Sequence, residues 1–93
     1  MRITNNEIDV FKKSIFSVDE NAKIYLFGSR TDDTKKGGDI DLLIISTSLQ
    51  QRHSRKIKQN IFDELEEQKI DILIKKDFYD SFVAYIQDQC IEL

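Results

Sequence analysis

Residues 27–45, FGSRTDDTKKGGDIDLLII, put two aspartates, Asp39 and Asp41, at the mouth of a run of aliphatic residues. Such a run is what a buried strand is made of, and strand interiors disfavour aspartate. Because side chains alternate across a strand, Asp39 and Asp41 point to one face, about 6.6 Å apart at a rise of about 3.3 Å per residue. Ile40, Leu42 and Ile44 take the opposite face, toward a core. Two carboxylates side by side repel each other, and loss of water at the base of a cleft makes this worse. A hard divalent ion such as Mg²⁺, bound by the carboxylates together with substrate phosphates, relieves the repulsion. The plainer alternative is that both aspartates end a strand in water.

Reading outward, Thr4 and Glu7 have capping-box spacing, and Ile8, Phe11 and Ile15 recur at helical intervals, predicting a helix over residues 5–17. KIYLF, residues 23–27, is short, aromatic and β-branched, as a buried strand is. A second strand is predicted over residues 39–46, and the STS after it offers N-cap hydroxyls for a helix through about residue 67, with Ile57, Ile61, Phe62 and Leu65 as its buried stripe. KIDILI, residues 69–74, alternates Ile70, Ile72 and Ile74 with Asp71 and Leu73, the period of a strand with two unlike faces. Asp77 is placed to cap a last helix whose inward residues are Phe78, Phe82, Val83 and Ile86, with Cys90 continuing the stripe begun by Tyr79. The expected fold is α/β in the α+β sense, a small mixed sheet with flanking helices in the order α-β-β-α-β-α, and a single domain over residues 1–93.

Composition narrows the function classes. With 40% hydrophobic and 33% charged residues the chain is a folded globule rather than a disordered one. Its net charge of -3 gives no global pull toward nucleic acid, so any anion must be held locally. At 93 residues a single core is only modestly stable, and association with a partner or a second copy is compatible with that size. One cysteine forms no internal disulfide, and neither a signal peptide nor an apolar run of spanning length occurs, so a cytoplasmic protein is expected. Cys90 reads as a small packing residue. The stretch QRHSRKIK, residues 51–58, is basic and is followed by Asp63, Glu64, Glu66 and Glu67, a polarity that opposes the helix dipole. His53, the only histidine, carries no pattern that assigns it acid–base work.

Directly after the first strand, Gly28 is able to take positive φ and Ser29 adds a hydroxyl, so the turn is suited to hold a phosphate. Neither a Walker A loop, nor a dinucleotide fingerprint, nor a calcium loop is present. Asp71 is the one polar residue inside an otherwise aliphatic strand. If that strand lies beside the second, three carboxylates converge; otherwise Asp71 faces solvent on an edge.

The specific signal is the combination: a strand, Gly28-Ser29, a loop, Asp39-x-Asp41 opening an aliphatic strand, and a lone Asp71 in a later strand. In this the sequence resembles the nucleotidyltransferase superfamily that includes DNA polymerase beta, and more closely its small prokaryotic minimal nucleotidyltransferase branch. The resemblance implies that Gly28, Ser29 and Arg30 bind a nucleoside triphosphate, ATP by preference. It further implies that Asp39, Asp41 and Asp71 bind two Mg²⁺ ions, replaceable by Mn²⁺, and form the catalytic set of a two-metal transfer. Lys35 and Lys36 would add positive charge on the loop. The branch also implies a separate helical partner of the HEPN type, with the pair acting as a toxin–antitoxin module or a two-subunit transferase. The alternative is a non-catalytic binding module of the same fold that neutralises its partner by contact.

Overall fold

The structure, a computed structural model, describes residues 3–28, 39–66 and 68–93. Helix α1 (Asn5–Phe16), strand β1 (Lys23–Phe27), strand β2 (Ile40–Ile45), helix α2 (Ser54–Phe62), strand β3 (Ile70–Lys75), helix α3 (Ser81–Ile86) and strand β4 (Ile91–Glu92) follow in that order. The expected mixed α+β succession holds, with one strand added at its end.

Helix α1 starts where the capping box places it. The Thr4 N–H donates to Glu7 Oε1 at 2.9 Å and the Glu7 N–H donates to Thr4 Oγ1 at 3.1 Å, satisfying two donors that a helix start leaves open. Helix α2 departs from expectation at both ends. A 3-10 turn, Gln51–His53, precedes it, and the backbone N–H of Gln50 donates to His53 Nδ1 at 2.8 Å, so the lone histidine closes that turn. The helix ends at Phe62 instead of reaching residue 67. Asp63, Glu64 and Glu66 sit at its negative end, where carboxylates weaken the last turn. None of the STS hydroxyls expected to cap it precedes α2 directly; that of Ser46 is buried and accepts from the backbone N–H groups of Ser48 and Leu49 at 3.2 and 2.9 Å.

The four strands stand in the order β3-β2-β1-β4, with β2 and β3 parallel and the other two pairs antiparallel. On one face Ile24 and Leu26 of β1, Ile40, Leu42 and Ile44 of β2, and Ile70, Ile72 and Ile74 of β3 pack beneath Phe11, Ile15, Ile57 and Ile61 of the first two helices. Burying each such side chain is worth about 1.5–3 kcal/mol, and this face is where the fold's stability is concentrated. The other face joins Leu43, Val83 and Ile86, with Tyr25, Phe27, Leu73 and Phe78 against them. At the sheet's β3 edge the Gln51 side chain substitutes for a further strand: its Nε2 donates to the Ile72 carbonyl at 2.7 Å and its Oε1 accepts from the Ile74 N–H at 2.8 Å.

Three expectations about the last segment are corrected. Asp80, not Asp77, caps α3, accepting from the N–H groups of Phe82 and Val83 at 2.9 and 3.3 Å, while Asp77 closes the turn before it through Tyr79. Phe82 is 44% exposed and Tyr79 93% exposed, so neither belongs to the buried stripe. Cys90 lies beyond the helix, after a 3-10 turn at Gln87–Gln89, in extended conformation leading into β4. The open edge of β1 draws this segment into Tyr25–Glu92 and Leu26–Ile91 pairs, a tertiary demand that outweighs local helical periodicity. Cys90 still packs against the Leu43 cluster, and burial pushes its thiol up, away from the reactive thiolate.

Candidate active site

The register of the sheet aligns one rung across three strands. Phe27, the last residue of β1, stands opposite Asp41 of β2, and Asp41 stands beside Asp71 of β3. The strand alternation that buries Ile40, Leu42, Ile70 and Ile72 under α1 and α2 sends Asp41 and Asp71 to the other face, with Leu43 and Leu73 next along it. Asp71 is both things the sequence offered: exposed on an edge strand, and adjacent to Asp41.

Gly28 follows at once with φ of 81°, in the left-handed region that favours glycine. A Cβ at this position would overlap the Oδ2 of Asp41, so the missing side chain is what lets the turn pass the carboxylate. Ser29 and Arg30, and Lys35 and Lys36 with them, lie outside the described residues.

Asp41 is half-buried, and its carboxyl is pushed up first by burial and then by the negative charges of Asp71 and Asp39, with Lys69 opposing in part. Interaction with the neighbouring Asp71 carboxyl adds to the rise, as expected of two acidic groups side by side. Asp39 is engaged differently. Its Oδ2 lies 3.3 Å from Lys69 Nζ, and hydrogen bonding to Asp39, then the charges of Asp39, Asp71 and Asp41, hold the lysine ammonium above its ordinary range. The structure thus brings Asp41 and Asp71 together and hands Asp39 to Lys69. Among the described residues no three acidic, histidine or cysteine side chains are gathered into a ready metal cage. The donors are nevertheless hard oxygens crowded at like charge, a set whose chemistry fits a divalent ion of the Mg²⁺ class.

Sequence reasoning missed Lys69. Its signal was present, for Lys69 precedes Asp71 by two residues just as Asp39 precedes Asp41, and parallel pairing sets the two beside each other. It also missed the cleft wall. A cleft of about 420 Å³ opens at the rung, lined by Phe27, Asp41, Asp71, Leu73, Lys75 and Phe82. Phe82 stands edge-on to Phe27, ring centroids 6.1 Å apart, and Lys75 Nζ pairs with Asp80 Oδ2 at 3.1 Å, tying the start of α3 to the end of β3.

The family model described as nucleotidyltransferase domain matches residues 8–93. The chain belongs to the nucleotidyltransferase domain family. No curated protein matches it. A nucleotidyltransferase is a transferase, and the match spans every strand and helix that builds the Asp41–Asp71 rung and its cleft. Among the described residues of this nucleotidyltransferase domain no helix is long and apolar enough to cross a membrane.

Proposed function

We propose that this nucleotidyltransferase moves a nucleoside monophosphate, AMP from ATP in the form we favour, onto a hydroxyl acceptor. It does so beside a HEPN-type helical partner, as an antitoxin or as one subunit of a two-subunit transferase. The observation that carries the catalytic reading is the rung that seats Asp41 against Asp71 at the mouth of a cleft, next to a glycine whose Cβ would block it. The acceptor oxygen bonds to the α-phosphorus, the bond to the bridging oxygen breaks, and pyrophosphate leaves. Asp71, exposed on the edge strand, is open to an acceptor from solvent and placed to take its proton. Asp41, deeper and held by its neighbours, would be the fixed metal ligand of the pair. Mg²⁺, or Mn²⁺ in its place, held by Asp41 and Asp71 and joined by Asp39, would neutralise the triphosphate and favour the deprotonated acceptor. Asp39 joins only by leaving Lys69, and an exposed, solvent-screened bridge of this kind is too weak to be a barrier. By the family resemblance Gly28, Ser29 and Arg30 receive the phosphates.

The Lys69–Asp39 pair also favours a second reading, in which the fold is kept as a binding module and neutralises its partner by contact alone. Incubating the chain with its helical partner, Mg²⁺ and each triphosphate, followed by intact-mass measurement of both proteins, separates the two. The enzyme gives a nucleotidyl adduct that falls by at least about a hundredfold in Asp71→Asn, with a much smaller loss of triphosphate affinity. If no adduct forms with the native protein while neutralisation survives in Asp71→Asn, the binding reading stands instead.

A further inference from the structure

The cleft at the acidic rung has an apolar half that the transfer chemistry does not use. Strand alternation puts Asp71, Leu73 and Lys75 of β3 along it in that order, Phe82 of α3 forms a wall, and Phe27 lies at the end that meets Asp41. From Asp71 to Lys75 the floor runs about 13 Å, at about 3.3 Å per residue. The chemistry changes along that length: carboxylates at one end, one aliphatic and two aromatic side chains beyond them, and the Lys75 ammonium at the far end.

Phe82 is nearly half exposed although the next residue, Val83, is fully buried. Its ring meets Phe27 at an interplanar angle of 74°, a T-shaped contact that does not stack the two faces. Single apolar side chains on a convex surface are ordinary, and the exposed Tyr79 and Tyr85 do not line the cleft. Phe82 differs in standing in a concavity with Phe27 and Leu73. It is also held there: the Asp80 carboxylate accepts from the Phe82 N–H at 2.9 Å and pairs with Lys75 Nζ at 3.1 Å, so the wall is tied to the floor. A ring fixed in this way gives up little freedom when a planar group settles on it.

A nucleotide presents the same succession: phosphates that need a metal on the carboxylates, then a sugar, then a flat base whose π face stacks on an aromatic ring whatever the base. The cleft, about 420 Å³, falls within the range of about 300–1,000 Å³ usual for small-molecule sites. With the phosphates at Gly28 and Asp41, the nucleoside has the apolar half before it, and the exposed edge at Asp71 stays open to the acceptor. A sugar acceptor fits that half less well, because its hydroxyls would face apolar side chains without partners.

We propose that Phe82 and Leu73 form the nucleobase subsite of this transferase, with the base lying against the Phe82 ring and the phosphates at the acidic rung. The subsite rests on the reading of the Asp41–Asp71 rung as the seat of metal and phosphates. Phe82 touches no reacting atom. It is a binding residue, and it makes the site prefer a nucleoside triphosphate to a bare polyphosphate.

Calorimetric titration of the full chain with ATP and with inorganic tripolyphosphate, each with Mg²⁺, tests this, and circular dichroism confirms that each variant is folded. Phe82→Leu keeps an apolar side chain and removes the ring. It should lower affinity for ATP at least about fivefold, the low end for a base stacked on an aromatic side chain, and leave tripolyphosphate within about twofold of the native value. Phe82→Trp should bind ATP as the native chain does. The native sequence has no tryptophan, so quenching of the fluorescence of Phe82→Trp by ATP, and not by tripolyphosphate, reports a base on the ring. ATP binding indifferent to Phe82→Leu while tripolyphosphate still binds overturns the subsite and leaves the phosphate reading standing. An equal loss of both ligands in Phe82→Leu overturns it as well, and so does native ATP affinity with slower transfer, which gives the ring to the acceptor. Failure of the native chain to bind either ligand is a different result: it removes the reading of the rung, and the subsite with it.

Discussion

Gly28→Ala is the substitution whose effect the structure fixes most closely, because two separate costs meet at one atom. An L-residue at φ of 81° sits in the left-handed region, worth roughly 1–2 kcal/mol. The new Cβ also overlaps Asp41 Oδ2 and comes within 3.3 Å of Cγ, and since this is the end of a side chain, Asp41 turns away before β1 moves. A half-buried aspartate forced off its rotamer costs roughly 0.5–1.5 kcal/mol. The sum, roughly 1.5–3.5 kcal/mol, lowers Tm by at least about 6 °C in a domain of this size. Asp41 leaves the rung in the process, so triphosphate transfer should fall far more than stability does. Urea unfolding of the native chain, Gly28→Ala, Asp41→Ala and the double variant isolates the contact. In the Asp41→Ala background only the backbone strain remains, and the coupling between the two positions should be about 0.5–1.5 kcal/mol. Additivity of the two substitutions within about 0.3 kcal/mol would refute the contact, leaving the left-handed φ as the reason a glycine stands here.

Two further outcomes concern pH and can be followed through urea midpoints. Asp41 has its folded pKa raised above 3.8 by burial and by Asp71 and Asp39, so in metal-free protein stability falls as pH climbs from 3.8 through the folded value. Asp41→Asn should remove that fall and be more stable than the native chain at neutral pH, and an Asn variant less stable there would contradict the account. Asp19 behaves oppositely: the Ser46 hydroxyl, offset in part by burial and then aided by the Asn21 N–H and the Ser48 hydroxyl, holds it below 3.8. Its contribution is complete above 3.8 and is lost as pH falls through the lowered value, so Asp19→Asn should flatten the acid limb of the stability curve.

The strands and the carboxylates were legible because their signals are local. Asp39, Asp41 and Asp71 interrupt aliphatic runs of period two, and that alternation alone tells which face each side chain takes. The end of the chain was not legible for the same reason. Cys90 continues a helical spacing, and nothing between Ile86 and Ile91 breaks it, with no proline or glycine present, so only the unpaired edge of β1 explains the turn to extended backbone. Lys69 and Phe82 fall between these cases. Each carries an ordinary surface or core residue type, and each reaches the site through a pairing across elements: the β2–β3 register for Lys69, the Phe27 ring for Phe82.

That register also explains how a repulsive pair is tolerated at all. Sliding β3 by one residue against β2 would drive Asp71 into the face beneath α1 and α2 and expel Ile70, Ile72 and Ile74, each nearly buried. Losing three buried isoleucines costs about 4.5–9 kcal/mol at about 1.5–3 each, well above what a half-exposed carboxylate pair gains by separating. The apolar face therefore holds the acidic face in place. With Lys69 on Asp39, one of the three negative charges is already countered. Asp41 and Asp71 are left with two between them when both are ionised, and it is the repulsion of this pair that the buried isoleucines of β3 hold in register against.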